Sequence, residues 1–417
     1  MRPDRLSLLL TTALLLAGCS APNEPETDPL AGPWKRHVID ASSEGADGVR
    51  LIDVNGDGLL DITTGWEEGG VIRVYLNPGP AKAREPWPAA TVGEVKSPED
   101  AVFVDLDGDG AIDVVSSCEG RERSLYVHWA PKEPVAYLEA AAWRTEPIPA
   151  ARNAMQWMFT LPMQVDGTHG IDLVSGAKGD GAQIGWFEAP ARPRDLKAWR
   201  YHPIYEAGWI MSIVGLDMDG DGDLDLLVSD RKGPRPGALW LENPGPGEAQ
   251  KKPWPVHRIG GTGREVMFLD PVDLDGDGLL DVLTAAKTRE ILFHRRKSAD
   301  GRQWEEFSIP IPDSAGTAKA VRAGDINLDG KLDLVFSCEH AQAPKSGVMW
   351  LSYEGSVTGG QWRAHDVSGP EGVKYDLIEL IDMDGDGDLD ILTCEETTGL
   401  GVIWYENPTR RPAPASR

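Results

Sequence analysis

The sequence predicts an all-β fold, a seven-bladed β-propeller of four-stranded blades. Three observations lead there. An aspartate–glycine loop recurs seven times, at intervals of 52, 59, 53, 56, 52 and 57 residues. A tryptophan stands 18–21 residues ahead of every loop: Trp34, Trp87, Trp143, Trp199, Trp254, Trp304 and Trp362. Between these marks lie short apolar runs with the period of strands. A unit of about 55 residues holds four short strands and their turns, the size of one blade.

The N-terminus is read separately. Two arginines within Met1–Arg5 precede an apolar run, Leu6–Leu16, that is too short to cross a bilayer as a helix. Leu16-Ala17-Gly18-Cys19 closes it. This order is that of a signal peptide, and the tetrad resembles the lipobox of bacterial lipoproteins. The resemblance implies cleavage ahead of Cys19 and lipidation of its sulfur. Ser20 in place of aspartate implies outer-membrane sorting, facing either the periplasm or the exterior. The expected organisation is a signal peptide (1–18), a lipidated cysteine and proline-rich tether (19–33), the propeller (34–408) and a polar tail (409–417).

The order of marks along the ring predicts how it closes. The chain enters on a tryptophan strand, WKRHVID, and leaves after GVIWYENP with no tryptophan strand behind it. The first strand is therefore expected to complete the last blade, which removes two open sheet edges. His37, His202, His257 and His365 each follow a tryptophan by three residues. Their regular recurrence marks them as packing residues rather than ligands. Cys118, Cys338 and Cys394 end similar apolar runs. An odd number argues against a disulfide framework and for buried thiols.

The seven loops carry the charge. They contain 26 aspartates, equal in number to the net charge of −26, which sets the chain against nucleic acid as a partner. Alternate carboxylates on a tight glycine turn suit a hard cation that takes six to eight oxygens. The expected calcium ligands are Asp53, Asn55, Asp57 and Asp61 in the first loop, and Asp105, Asp107, Asp109 and Asp113 in the second. In the fourth they are Asp217, Asp219, Asp221 and Asp225, and in the fifth Asp273, Asp275, Asp277 and Asp281. In the sixth they are Asp325, Asn327, Asp329 and Asp333, and in the seventh Asp382, Asp384, Asp386 and Asp390. The third loop, QVDGTHGID, keeps only Asp166 and Asp172 and is expected to bind weakly or not at all. About six structural Ca2+ ions follow.

The loops lack the glutamate that closes an EF-hand and have strand-like flanks. They resemble the FG-GAP or VCBS repeats of integrin alpha-chain propellers and of many bacterial surface proteins. That resemblance, covering nearly all of 34–408, implies calcium between the first and second strands of each blade.

The calcium turns share one face with the proline-rich links between the third and fourth strands, and the opposite face collects the loops between blades and those between the second and third strands, where function in repeat folds resides. Trp66, Trp157 and Trp209 fall there, placed to stack on a sugar, with Arg152 and Lys374 placed to pair with its anionic groups. Two functions stay open. The first is a monomeric binding module for a carbohydrate, including anionic polysaccharide, or for an extracellular protein. It would meet the membrane through its lipid anchor only. The second is a carbon–oxygen lyase acting on polysaccharide, or a sugar dehydratase. Arg264 or Lys319 would then neutralise a carboxylate, and Tyr375 or His340 would remove the neighbouring proton.

Overall fold

The computed structural model describes residues 30–410. Cys19, the signal peptide, most of the tether and the end of the tail lie outside the described residues. Seven four-stranded antiparallel sheets form the molecule. Their inner strands are Ala46–Ile52, Pro98–Val104, Gln156–Met163, Ile210–Leu216, Val266–Val272, Thr317–Gly324 and Tyr375–Ile381. Each touches the inner strands on either side, so the sheets stand radially around one axis.

The ring closes as the sequence predicts. Lys35–Asp40 pairs antiparallel with Gly401–Glu406, setting His37 against Trp404, and so becomes the outer strand of blade 7. The second strand of each blade, Asp61–Trp66 in blade 1, is buried along its length apart from the half-buried Lys178 at the end of blade 3's, because blades cover both its faces. Its residues accordingly form near-continuous apolar runs. Outer strands such as Gln361–Asp366 are largely wet.

The periodic tryptophans staple blade to blade. The Ala83 carbonyl accepts indole N–H groups from Trp87 of its own blade and from Trp404 of the preceding one, at 3.2 and 3.1 Å. The Gln250 carbonyl does the same for Trp254 and Trp186, and the Gly301 carbonyl for Trp304 and Trp240. One carbonyl with two lone pairs thus satisfies two buried donors. The four histidines stack within their own blades, His365 on Trp350 at 3.9 Å and His257 on Trp240 at 4.2 Å between centroids. His37 and His202 pack likewise on Trp404 and Trp186. Three of them also meet a glutamate, His37 with Glu406, His202 with Glu188 and His257 with Glu242. Cys118, Cys338 and Cys394 are buried free thiols.

Candidate functional site

The two faces of the ring are built from different turns. On one, the aspartate loops wind around their own first residue. Asp53 accepts the backbone N–H groups of Gly56 and Asp57 on one oxygen and that of Gly58 on the other. Gly56 and Gly58 take φ of 77° and 85°, a region that suits glycine. The ninth residue is a buried clamp. Asp61 accepts N–H from Val54 and Asn77, Asp225 from Met218 and Asn243, and Asp390 from Met383 and Asn407.

The donors at positions 1, 3 and 9 converge. Carboxylate oxygens of Asp105, Asp107 and Asp113 lie within 4.8 Å of one another, as do those of Asp217, Asp219 and Asp225, and of Asp273, Asp275 and Asp281. Burial pushes the ninth-position carboxyls up, Asp281 to about 6, Asp225 to about 7 and Asp390 to about 8. A dication would relieve that penalty, and the all-oxygen donor set fits a hard one. Arginines already meet several third-position carboxylates. Arg194, Arg84 and Arg302 reach from the following blade to Asp107, Asp384 and Asp219, and Arg295 reaches Asp275 within its own.

The third loop is sealed differently. The Gln164 amide donates to the carbonyls of Thr168 (3.1 Å) and Gly170 and accepts N–H from Asp166 and Gly167. A neutral amide there does the internal tying that carboxylates and a cation would share elsewhere.

On the opposite face every inner strand carries a bulge near its end. The residues skipped by the pairing register are Gly48 and Val49, Glu99, Met158, Met211, Met267 and Phe268, Lys319, and Asp376 and Leu377. A bulge re-aims the side chain it frees. All of these except Val49 line one axial pocket of about 280 Å³, together with Asp47, Glu67, Glu119, Phe159, Lys178, Trp209, Arg231, Glu339 and Lys374. Its two sides differ. Blades 3 to 5 contribute Met158, Met211 and Met267 with Phe159 and Phe268, rimmed by Lys178, Trp209 and Arg231; blades 6, 7, 1 and 2 contribute mostly charge.

The charges are paired with two exceptions. Lys178 meets Glu99 at 3.2 Å and also Glu119. Lys319, buried, meets Asp376 and Glu396, and Lys374 meets Glu396. Arg231 holds Glu265 at 2.9 Å, and Lys287 holds Glu339. Against burial, which raises it, the Lys319 ammonium holds Asp376 down to about 2. Burial lifts Glu396 to about 7. Asp47 and Glu67 have no cation in ion-pair contact among the described residues. Burial, and after it Asp376, Glu396 and Glu99, lifts Asp47 well above the carboxylate range. Burial with Glu99 and Glu68 lifts Glu67.

Several sequence expectations are corrected here. Trp66 and Trp157 are fully buried and spend their N–H on Tyr75 Oη and the Ala151 carbonyl, both at 3.0 Å, so neither offers a face at the mouth. Trp209 does line the pocket, but Arg231, Lys178 and Lys232 sit 4.3, 4.8 and 5.0 Å from its ring centroid, leaving no bare stacking face. Arg152 is exposed and outside the pocket lining, whereas Lys374 is in it. The four catalytic candidates do not assemble. Lys319 is in the pocket, but Tyr375 is buried behind it, bonded to Tyr405 and the Glu371 carbonyl, with burial raising its hydroxyl to about 12. Arg264 is tied to Glu290 and Glu306, and His340 is exposed beside Glu339, both outside the pocket lining. The methionine side was missed. Its only signal in the sequence is a methionine at matching places in three consecutive units.

A family model described as an FG-GAP-like repeat matches residues 53–116 and 273–336. Each match begins on the first aspartate of one loop and runs past the next. No match is found among curated proteins. Among solved structures, the chain is similar to BBS1N, crystallised in complex with ARL6DN and soaked with mercury, at 10% identity and a TM-score of 0.51, covering 92% of this chain and 98% of that one. It is also similar to YCF48 from Cyanidioschyzon merolae, at 11% identity and a TM-score of 0.51, covering 90% and 99%. At such identities the likeness is one of fold.

Proposed function

We propose that the protein is a calcium-stabilised binding module, held at the bacterial cell envelope through Cys19, that takes its ligand in the axial pocket opposite the aspartate loops. A propeller with FG-GAP-like repeats supports a binding or scaffold module in general. One observation carries the finer reading: all seven inner strands bulge at the same end, and the freed residues converge on one pocket. Bulges placed together around an axis re-aim side chains where a ligand sits.

The same pocket narrows the ligand. It suits a small molecule, a chain end or a single side chain rather than a polymer lying across exposed aromatics. The pocket's lysines and Arg231 are engaged by carboxylates, so an anionic polysaccharide gains little support from them. The lyase reading loses its proposed base and its second cation, because Tyr375, His340 and Arg264 do not reach the pocket.

The test is a ligand panel of neutral sugars, uronates, amines and peptides against the calcium-loaded protein, repeated with Met211→Trp, which fills the pocket. Binding that disappears in the filled variant supports the reading. Binding that survives it would place the site elsewhere. Growth of unsaturated-product absorbance with a uronate polymer would restore the lyase.

A further inference from the structure

The ligand class can be read from the unequal sides of the pocket, an inference that rests on the mouth being the ligand site. We propose that the mouth takes a small organic amine, a primary ammonium carried on an alkyl or aryl body.

The charged side is one connected cluster. Asp47, Glu67 and Glu99 bring carboxylate oxygens within 4.8 Å of one another, and Asp47 stands equally close to Asp376 and Glu396. Lys178, Lys319 and Lys374 are the lysines paired into this group, and Glu119 joins it through Lys178. Six carboxylates thus face three lysines. The excess is local, on Asp47 and Glu67, which line the cavity and make no ion pair of their own among the described residues, the nearby Lys319, Lys374 and Lys178 being bridged to Asp376, Glu396, Glu99 and Glu119 instead. Asp47 is only 7% exposed, so water solvates it poorly, and a like-charged neighbour is the worst companion for it. An ammonium has three donors to spread over Asp47, Glu67 and Glu99, and a desolvated charge-assisted hydrogen bond is among the strong ones.

The other side asks for something an inorganic cation lacks. Met158, Met211, Met267, Phe159 and Phe268 form the facing wall. Thioethers adapt to an alkyl chain and contact the edge of an aromatic ring. A bare metal ion on the carboxylates would leave this wall against water, whereas an amine with an apolar body covers both sides. A carboxylate ligand meets the wrong charge, since the lysines nearby are already bridged.

The experiment labels the methionine methyl groups of the full-length, calcium-loaded protein with ¹³C and titrates three probes of one skeleton: phenethylamine, 2-phenylethanol and 3-phenylpropanoate. Phenethylamine is expected to shift the methyls of Met158, Met211 and Met267, each assigned by its Leu variant. It should bind at least about tenfold more tightly than the alcohol or the carboxylate, the worth of one charge-assisted contact. Asp47→Asn is expected to remove most of that preference. Glu67→Gln, at a less buried position, keeps the test alive should the first variant misfold. Equal binding of the three probes, or tighter binding of the carboxylate at the same methyls, overturns the amine while leaving the mouth as the site. Manganese broadening the same methyls and displacing the amine would replace it by a metal. Silence of all three methyls toward every probe overturns both readings.

Discussion

The two faces of the ring use one repeat in opposite ways. On the aspartate face the repeat is kept: the same first-residue turn, ninth-residue clamp and glycine geometry recur with small variations. On the mouth face only the backbone device is kept, a bulge in every inner strand, and the residue it frees changes from blade to blade. Repetition is what a structural role needs, since every blade must be held alike. Divergence at a fixed backbone position is what a binding role needs, since a ligand is not sevenfold symmetric.

The comparison can be broken at several points. Deleting residues 34–40 should be the heaviest blow, because it opens the ring and exposes two sheet edges. The truncated protein is expected to be insoluble or to melt far below the intact one, and an unchanged Tm would refute the closure. Next comes calcium removal. Each site saturated at a hundredfold excess over its Kd stabilises by about 2.7 kcal/mol, so six sites should shift the thermal transition by well over ten degrees, about two to four per kcal/mol being usual for smaller domains. A melting curve indifferent to chelator would remove calcium from the account.

On the mouth face, Lys319→Met should cost about 3–5 kcal/mol, because it strands Asp376 as an uncompensated buried charge and leaves Glu396 to Lys374 alone. Denaturant unfolding measures this, and a loss under about 1 kcal/mol would show that the network relaxes into water. An effect that is small near neutrality and grows with acid concerns His128. His128 is buried between Ser116 and Thr145, and burial pulls its imidazole down to about 3 from an ordinary 6.5. The folded state therefore binds fewer protons than the unfolded one below pH 6.5. Stability should fall as pH drops toward 3, by up to about 1.4 kcal/mol per unit from this group. His128→Gln should flatten that slope. The smallest effect expected is a gain. Leu328 holds φ of 60° at the loop position where all six other loops place a glycine of positive φ, so Leu328→Gly should stabilise by about 1 kcal/mol. A loss would show that the leucine packs usefully.

The aspartate face was almost wholly legible in the sequence, because spacing repeated seven times fixes register, blade number and closure together. The departure of the third loop was legible too, though not its mechanism: the amide of Gln164 ties the loop through its neighbours' carbonyls. The mouth was half legible. The alternation of turns between the two faces placed Trp209, Lys319 and Lys374 on the right face. It could not place a side chain within that face, because the order of turns says which face a loop joins and not which way each residue points, and a bulge re-aims the residues it frees. Trp66 and Trp157 were misread for that reason, each turning inward to a buried acceptor. Met158, Met211 and Met267 are bulge residues and escaped for the same cause.

The central claim is that one face holds the ring and the other holds the ligand, independently. It is tested most directly by two variants measured in parallel for calcium stoichiometry and phenethylamine binding. Met211→Trp should bind the same number of calcium ions as the parent and no amine, while Asp217→Ala should lose one calcium ion and keep the amine. A filled mouth that also loses calcium, or an amine site that fails with Asp217, would contradict the division of the two faces.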